Sequence, residues 1–183
     1  MFPSTDIGPC EVWAGTSVAA AVKAFDTKGG LNLTFVEEYV KSTMDKTGNW
    51  ARRKVVTGGE SKATGAAGEA TIAQLATLSG QAADAGGTRL ALKARAGTDL
   101  RASAKVYIYK PIIDGVVSTD DADWFYHPAG TMEVNWDVPF NVDGQRVYGF
   151  VIEGHPVTAD EIASGGRLAG EGFAEKDVLV LGD

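Results

Sequence analysis

The chain has 183 residues, 44% of them hydrophobic, which is enough to bury one well-cored domain over residues 1–183 and a poor fit to two. Its 17 basic and 24 acidic residues give a net charge of −7, which argues against a phosphate-binding surface spread over the whole molecule while leaving room for a local basic patch. The single cysteine, Cys10, excludes an intrachain disulfide framework and a cysteine-rich zinc site, and it suits a reducing compartment.

Met1-Phe2-Pro3-Ser4-Thr5-Asp6 lacks the basic start and apolar core of a secretion signal, and no apolar run reaches membrane-spanning length, so a soluble protein is expected. Abundant glycine, 23 residues, and scarce helical periodicity favour many short strands joined by glycine turns. Val12 to Gly15 and Val18 to Phe25 read as a strand pair broken at Gly15-Thr16. Asp26 to Gly30 reads as a turn. Leu31, Leu33 and Phe35 then alternate with Asn32, Thr34 and Val36, the period of a strand reaching about Val40. Glu37 and Glu38 are neighbours on that strand, so they point to opposite faces and do not form a carboxylate pair.

From Lys41 to Gly59 the period lapses, which predicts an extended loop over about 40–59; a polar connection of that length inside a domain is functional or disordered. Its charge sets it apart as well. Between Lys41 and Lys62, six basic residues (Lys41, Lys46, Arg52, Arg53, Lys54, Lys62) face two acidic ones (Asp45, Glu60), a local charge of +4 in an acidic chain. Trp50 beside Arg52 and Arg53 reads as an anchor for a protein partner, because Trp and Arg dominate interfaces.

Thr71 to Leu78 carries the one good helix signal, with Ile72, Leu75 and Ala76 on one face and a stop at Ser79-Gly80. Gly80 to Gly87 reads as a loop. Two strands are expected next, from the alternation of Leu90, Leu92 and Ala94 and of Ala102, Ala104, Val106 and Ile108, with Gly97-Thr98-Asp99 as the turn between them. Pro111 to Gly130 reads as irregular and acidic. Thr131 to Gly154 holds the clearest pattern: Val134, Trp136, Val138, Phe140 and Val142 alternate with polar residues, Asp143-Gly144 can turn, and Val147 to Ile152 returns, which predicts an antiparallel hairpin with Pro139 marking an edge or bulge. Thr158 to Glu161 resembles a capped helical turn, and Val178 to Leu181 a closing strand.

Chemical motifs are sparse. Asp120, Asp121 and Asp123 could offer oxygens to calcium, but the spacing lacks the glycine and distal glutamate of a helix–loop calcium site, and a solvated acidic loop is the preferred reading. His127 and His155, each followed by proline, read as turn histidines without metalloprotease spacing. No serine sits in a Gly-x-Ser-x-Gly elbow, and Gly58-Gly59-Glu60-Ser61-Lys62 lacks phosphate-loop spacing, so no enzyme reading has a positive warrant. Trp124-Phe125-Tyr126 could stack sugars, the basis of an alternative reading as a carbohydrate-binding β-sandwich, although core or interface packing is favoured.

The order of several segments resembles the tail tube (major tail) proteins of tailed bacteriophages. The segments are Gly8-Pro9-Cys10-Glu11-Val12-Trp13, Thr27 to Tyr39, Asp45-Lys46-Thr47-Gly48, Thr57-Gly58-Gly59-Glu60, the Thr71–Leu78 helix, Asp143 to Phe150 and Leu181-Gly182-Asp183. The resemblance implies a mainly β (α+β) fold, a β-sandwich of antiparallel strands flanked by one short α-helix. It implies hexameric rings stacked into a tube for DNA delivery, with a long loop reaching a neighbouring subunit. The implied partners are the chain itself, a tape measure protein and other tail proteins. DNA passes without sequence-specific binding, and neither cofactor nor membrane is involved. The location is the virion, with assembly in the host cytoplasm. Another ring-forming virion protein, a tail terminator or head–tail joining protein, is the alternative within virions.

The charges supply an assembly hypothesis. Between Ile112 and Ile162, ten acidic residues face the single basic Arg146, so opposite patches favour head-to-tail contacts that close into rings or propagate. The expected interface pairs Lys41, Lys46, Trp50, Arg52, Arg53 and Lys54 with a surface that includes Asp120, Asp121 and Asp123. A net negative lumen is expected, since like charge keeps DNA from sticking.

Overall fold

A computed structural model of the chain describes residues 5–6, 8–43, 51–68, 70–83, 86, 89–92, 96–135, 147–155 and 180–181. Its strands are β1 (Thr5–Asp6), β2 (Cys10–Gly15), β3 (Val22–Thr43), β4 (Ala51–Ala67), β5 (Ala82–Ala83), β6 (Leu90–Ala91), β7 (Lys105–Ile113), β8 (Val116–Val117), β9 (Phe125–Asn135), β10 (Tyr148–Gly154) and β11 (Val180–Leu181), with one α-helix, α1 (Ile72–Ser79). The mainly β class with a single short helix is therefore what the described residues adopt. The layers differ from the expected sandwich. β9, β10, β4, β3, β2 and β7 pair in that order, all antiparallel, and β7 pairs back onto β9, so the sheet closes into a six-stranded barrel. Closure follows from the length of β9: Phe125 to Gly130 pairs with β7, while Gly130 to Asn135 pairs with β10.

Period-two alternation fills the interior. Cys10, Val12 and Ala14 of β2, Tyr107 and Tyr109 of β7, Met132 of β9 and Phe150 and Ile152 of β10 point inward and are buried. Phe25 and Phe150 meet edge to face at 4.9 Å between centroids. Gly130 is required where it stands, because a Cβ there would lie 2.8 Å from the Tyr107 ring. A second, smaller cluster of Val106, Ile108 and Tyr126 lies on the outer face of β7 and β9 beneath Trp13, Val18, Ala21 and Trp124.

β3 runs through the expected Asp26–Gly30 turn. Gly29 and Gly30 take φ of +84° and +99°, and the pairing with β4 jumps from Thr27↔Ala67 to Leu31↔Gly65, so the glycines make a bulge that bends one continuous strand. The predicted loop over 40–59 is corrected too: β3 continues to Thr43 and β4 begins at Ala51, leaving 44–50 outside the described residues. The apolar period vanishes there because both faces of this stretch are away from the barrel core, so cross-strand backbone hydrogen bonds set the structure without a buried face to mark it.

Arg101–Ser103 forms a 3-10 turn, β7 starts only at Lys105, and only Leu90–Ala91 of the earlier alternation is strand, paired with β5. The segment expected to be irregular includes most of β9: Phe125 to Gly130 lies inside the sheet, its Gly, Ala, His and Pro packed between neighbours rather than alternating. The predicted hairpin pairs as expected where described, with Glu133 opposite Val151 and Met132 opposite Ile152. Trp136 to Val142, the Asp143-Gly144 turn, Pro139 and the Thr158–Glu161 turn lie outside the described residues, and of the closing strand Val180–Leu181 is described, paired with β9.

Helix α1 begins as its sequence directs. Thr71 caps Gln74 N while Gln74 reaches back to Thr71 N, and Gly80 closes the helix at φ +67°. Eight residues do not hold a helix in water, so the anchoring comes from Leu75 and Ala76, buried against the barrel end where β2 finishes and β7 begins. Leu75→Ala should lower the unfolding free energy by about 2–5 kcal/mol, whereas Thr77→Ala on the exposed face should stay within about 0.5 kcal/mol, both read by urea denaturation.

Candidate assembly surface

Beyond the barrel, the outer parts of β3 and β4 pair only with each other among the described residues. The last strand pairings outside the pair are Leu33 with β1 and Lys62 with β10; from Phe35↔Ser61 to Thr43↔Ala51 the two strands form a ribbon that pairs with no third strand among the described residues, Ser61 at its root still bonding His127 of β9. Nine residues at about 3.3 Å each carry it roughly 30 Å outward. An isolated two-stranded ribbon is marginal in water, and among the described residues neither edge of this one pairs with a further strand.

The ribbon has two chemically distinct faces. Lys41 sits opposite Lys54, a like-charged cross-strand pair that a ribbon designed only for its own stability would avoid. Lys54 Nζ lies 3.2 Å from the centre of the Tyr39 ring, and the Tyr39 hydroxyl donates to Glu37 Oε2 at 2.5 Å, which raises the tyrosine pKa. On the opposite face Val40 and Val55 pair directly and remain 57% and 41% exposed. Of the expected interface residues, Lys41 and Lys54 thus share one face. Arg52 and Arg53 lie in β4, described by backbone alone, and Lys46 and Trp50 lie outside the described residues.

Asp120, Asp121 and Asp123 form a 3-10 turn between β8 and β9. Their carboxylates serve the turn itself: Asp120 Oδ1 accepts from Ala122 N at 3.1 Å, and Asp123 Oδ2 from Ser118 Oγ at 2.6 Å. Among the described residues no cluster of three or more metal-ligating side chains occurs. The register places this turn and the ribbon at the same end of the barrel, on different strands, so the two groups do not meet within one chain at the described contacts.

The aromatic run does not form one platform. Phe125 packs on the inner core and Tyr126 on the outer cluster, while Trp124 and Trp13 enclose Lys110, whose Nζ is 3.8 Å and 3.9 Å from the two ring centres. Trp13 Nε1 donates to Glu11 Oε2 at 2.8 Å, and Lys23 bridges Glu11 at 2.6 Å and Asp26 at 2.9 Å. Burial raises the Glu11 pKa, but hydrogen bonds from Lys23 and Trp13 and the nearby ammonium charges more than offset it, leaving Glu11 below its ordinary value. This lysine–tryptophan stack left no period in the sequence, because Trp13 and Lys110 become diagonal neighbours only once β2 pairs with β7.

The turn reading of His127 is corrected. His127 is in mid-strand and fully buried, its Nδ1 2.7 Å from the Tyr109 hydroxyl and its Nε2 2.8 Å from Ser61 Oγ, a polar link spanning β9, β7 and β4. His155 follows β10, with Nε2 2.8 Å from Thr131 Oγ1. Ser61 and His127 have the contact of a nucleophile and its base, but both are fully buried, and together with Tyr109 they tie three strands of the barrel. The spaces among the described residues include a groove of about 290 Å³ beside α1 and another of about 310 Å³ bordered by Gly65, Val134 and Phe150.

Burial, and secondarily His155, pushes the His127 pKa down to about 3. The unfolded chain, with a histidine near 6.5, takes the proton first, so stability is fully present above about pH 6.5 and falls as pH drops toward about 3. The slope approaches about 1.4 kcal/mol per pH unit. Urea titrations at pH 7 and 5.5 should show this loss in the natural chain and a flatter dependence in His127→Gln; equal slopes contradict the assignment. Compared with protein-family models and with curated proteins, the chain matches none.

Proposed function

We propose that this chain is the structural subunit of a bacteriophage tail tube, assembled as hexameric rings that stack around a conduit for DNA. The observation that carries the reading is the β3–β4 ribbon, a roughly 30 Å extension of a closed six-stranded barrel, with edges unpaired among the described residues, opposed lysines and an exposed valine pair. Holding Lys41 against Lys54 costs a monomer like-charge repulsion that the Lys54–Tyr39 contact only partly offsets, whereas an acidic neighbour neutralises both ammoniums. The expected loop contact becomes a strand contact. A ribbon presents backbone hydrogen-bonding groups in register, so a neighbour can extend it as a sheet while the basic face meets carboxylates. The segments that resemble tail tube proteins include Thr27 to Tyr39 and Thr57 to Glu60, which form much of this ribbon and its root.

Electron microscopy of the purified chain tests the proposal: hollow tubes or stacked rings are expected, and isolated single rings favour a terminator or joining role instead. Arg52→Glu with Arg53→Glu should abolish tubes while leaving the circular dichroism and melting of the monomer unchanged. Tubes that form unaltered in this variant remove the basic arm from the assembly mechanism.

A further inference from the structure

The two ends of the barrel carry complementary features along a single strand. At the start of β7, Lys105 lies beside a groove of about 290 Å³ bordered by Ala14, Val22, Ala24 and Leu78. Its Nζ donates to Thr77 O at 3.2 Å, in the last turn of α1, which fixes the ammonium at the groove. Among the described residues no carboxylate pairs with it, and burial lowers its pKa. The other lysine of the groove, Lys23, is already held by Glu11 and Asp26.

At the far end of β7, eight residues and about 26 Å away, the β7–β8 hairpin ends in Ile113-Asp114-Gly115-Val116. Asp114 and Gly115 have φ of +51° and +80°, a tight turn that projects beyond the barrel. Ile113 and Val116 are cross-strand partners, 53% and 69% exposed, and Asp114 is exposed with no ion-pair partner among the described residues. This tip has an apolar pair beside a carboxylate; the groove has an apolar lining beside an unneutralised ammonium.

We infer that the Ile113–Val116 tip of one copy seats in the Lys105 groove of a second copy, with Asp114 facing Lys105 and the two exposed side chains covering Val22 and Leu78. The contact is heterologous, tip to groove, so it leaves a free tip at one end and a free groove at the other and propagates head to tail. It rests on the assembly reading above and specifies one of the contacts between copies. A small anion or an unrelated acidic peptide uses the same chemistry, but neither accounts for the apolar pair flanking the carboxylate.

Sedimentation velocity over a concentration series, at low and at moderate salt, tests the contact. Lys105→Glu, and separately Asp114→Asn combined with Val116→Lys, should each raise the concentration of half-association about tenfold or more. Asn tolerates the positive φ of the turn, and circular dichroism verifies that each variant is folded. An equimolar mixture of the two variants should recover dimers, because the intact tip of the first meets the intact groove of the second. If either folded variant associates like the natural chain, or the mixture stays monomeric, the tip-and-groove contact is wrong while the assembly reading stands. A natural chain that remains monomeric throughout overturns both.

Discussion

The pairing of β7 with β9 is the constraint on which the rest depends. It closes the sheet into a barrel and thereby uses the backbone hydrogen-bonding groups that an open sheet would offer along its edges. Among the described residues, edges outside the barrel include those of the β3–β4 ribbon and of the short β7–β8 hairpin. Exposed apolar pairs stand on both, Val40 with Val55 and Ile113 with Val116. The stagger that permits closure also orders the molecule end to end, with α1 and its groove at one end and the ribbon, the hairpin tip and the acidic turn at the other.

Inside the barrel, polar groups are treated differently from those outside. His127 is held neutral between Ser61 and Tyr109, its imidazole hydrogen-bonded on both nitrogens. Outside, Lys110 sits between two tryptophans and Lys23 between two carboxylates, and these ties lock the outer faces of β2, β3 and β7 together. Neither arrangement leaves an accessible reactive group. Lys41 on the ribbon and Asp114 at the hairpin tip are exposed with no ion-pair partner among the described residues.

How much of this was legible depended on whether local chemistry or distant pairing set the geometry. Helix α1 was readable because Thr71, Gln74, Leu75 and Gly80 are close in sequence and each acts on its own backbone. The β9–β10 pairing was readable from the alternation around Met132 to Asn135 and the return at Tyr148 to Ile152. His127 was misread because Pro128 signals a turn locally, whereas partners from β4 and β7 hold it in a strand. The ribbon was misread for the opposite reason: with no core beneath it, Val40 and Val55 are exposed and the strand carries no apolar period. Of the candidate interface residues, the sequence identified the charge of Lys41 and Lys54 but not that they stand opposite each other.

By itself the sequence determined a mainly β chain with one short helix, a basic segment set in an acidic molecule, and the glycines that let strands turn or bend, because period, charge and positive φ are properties of neighbouring residues. Only the tertiary structure decided that the sheet closes as a barrel, that Gly29 and Gly30 bend β3 instead of ending it, and that a ribbon replaces the expected loop. It also decided that Lys105 and Asp114 lie at opposite ends of one strand. Those outcomes rest on hydrogen-bond register between strands far apart in the chain, and register is fixed by how all the strands close on one another.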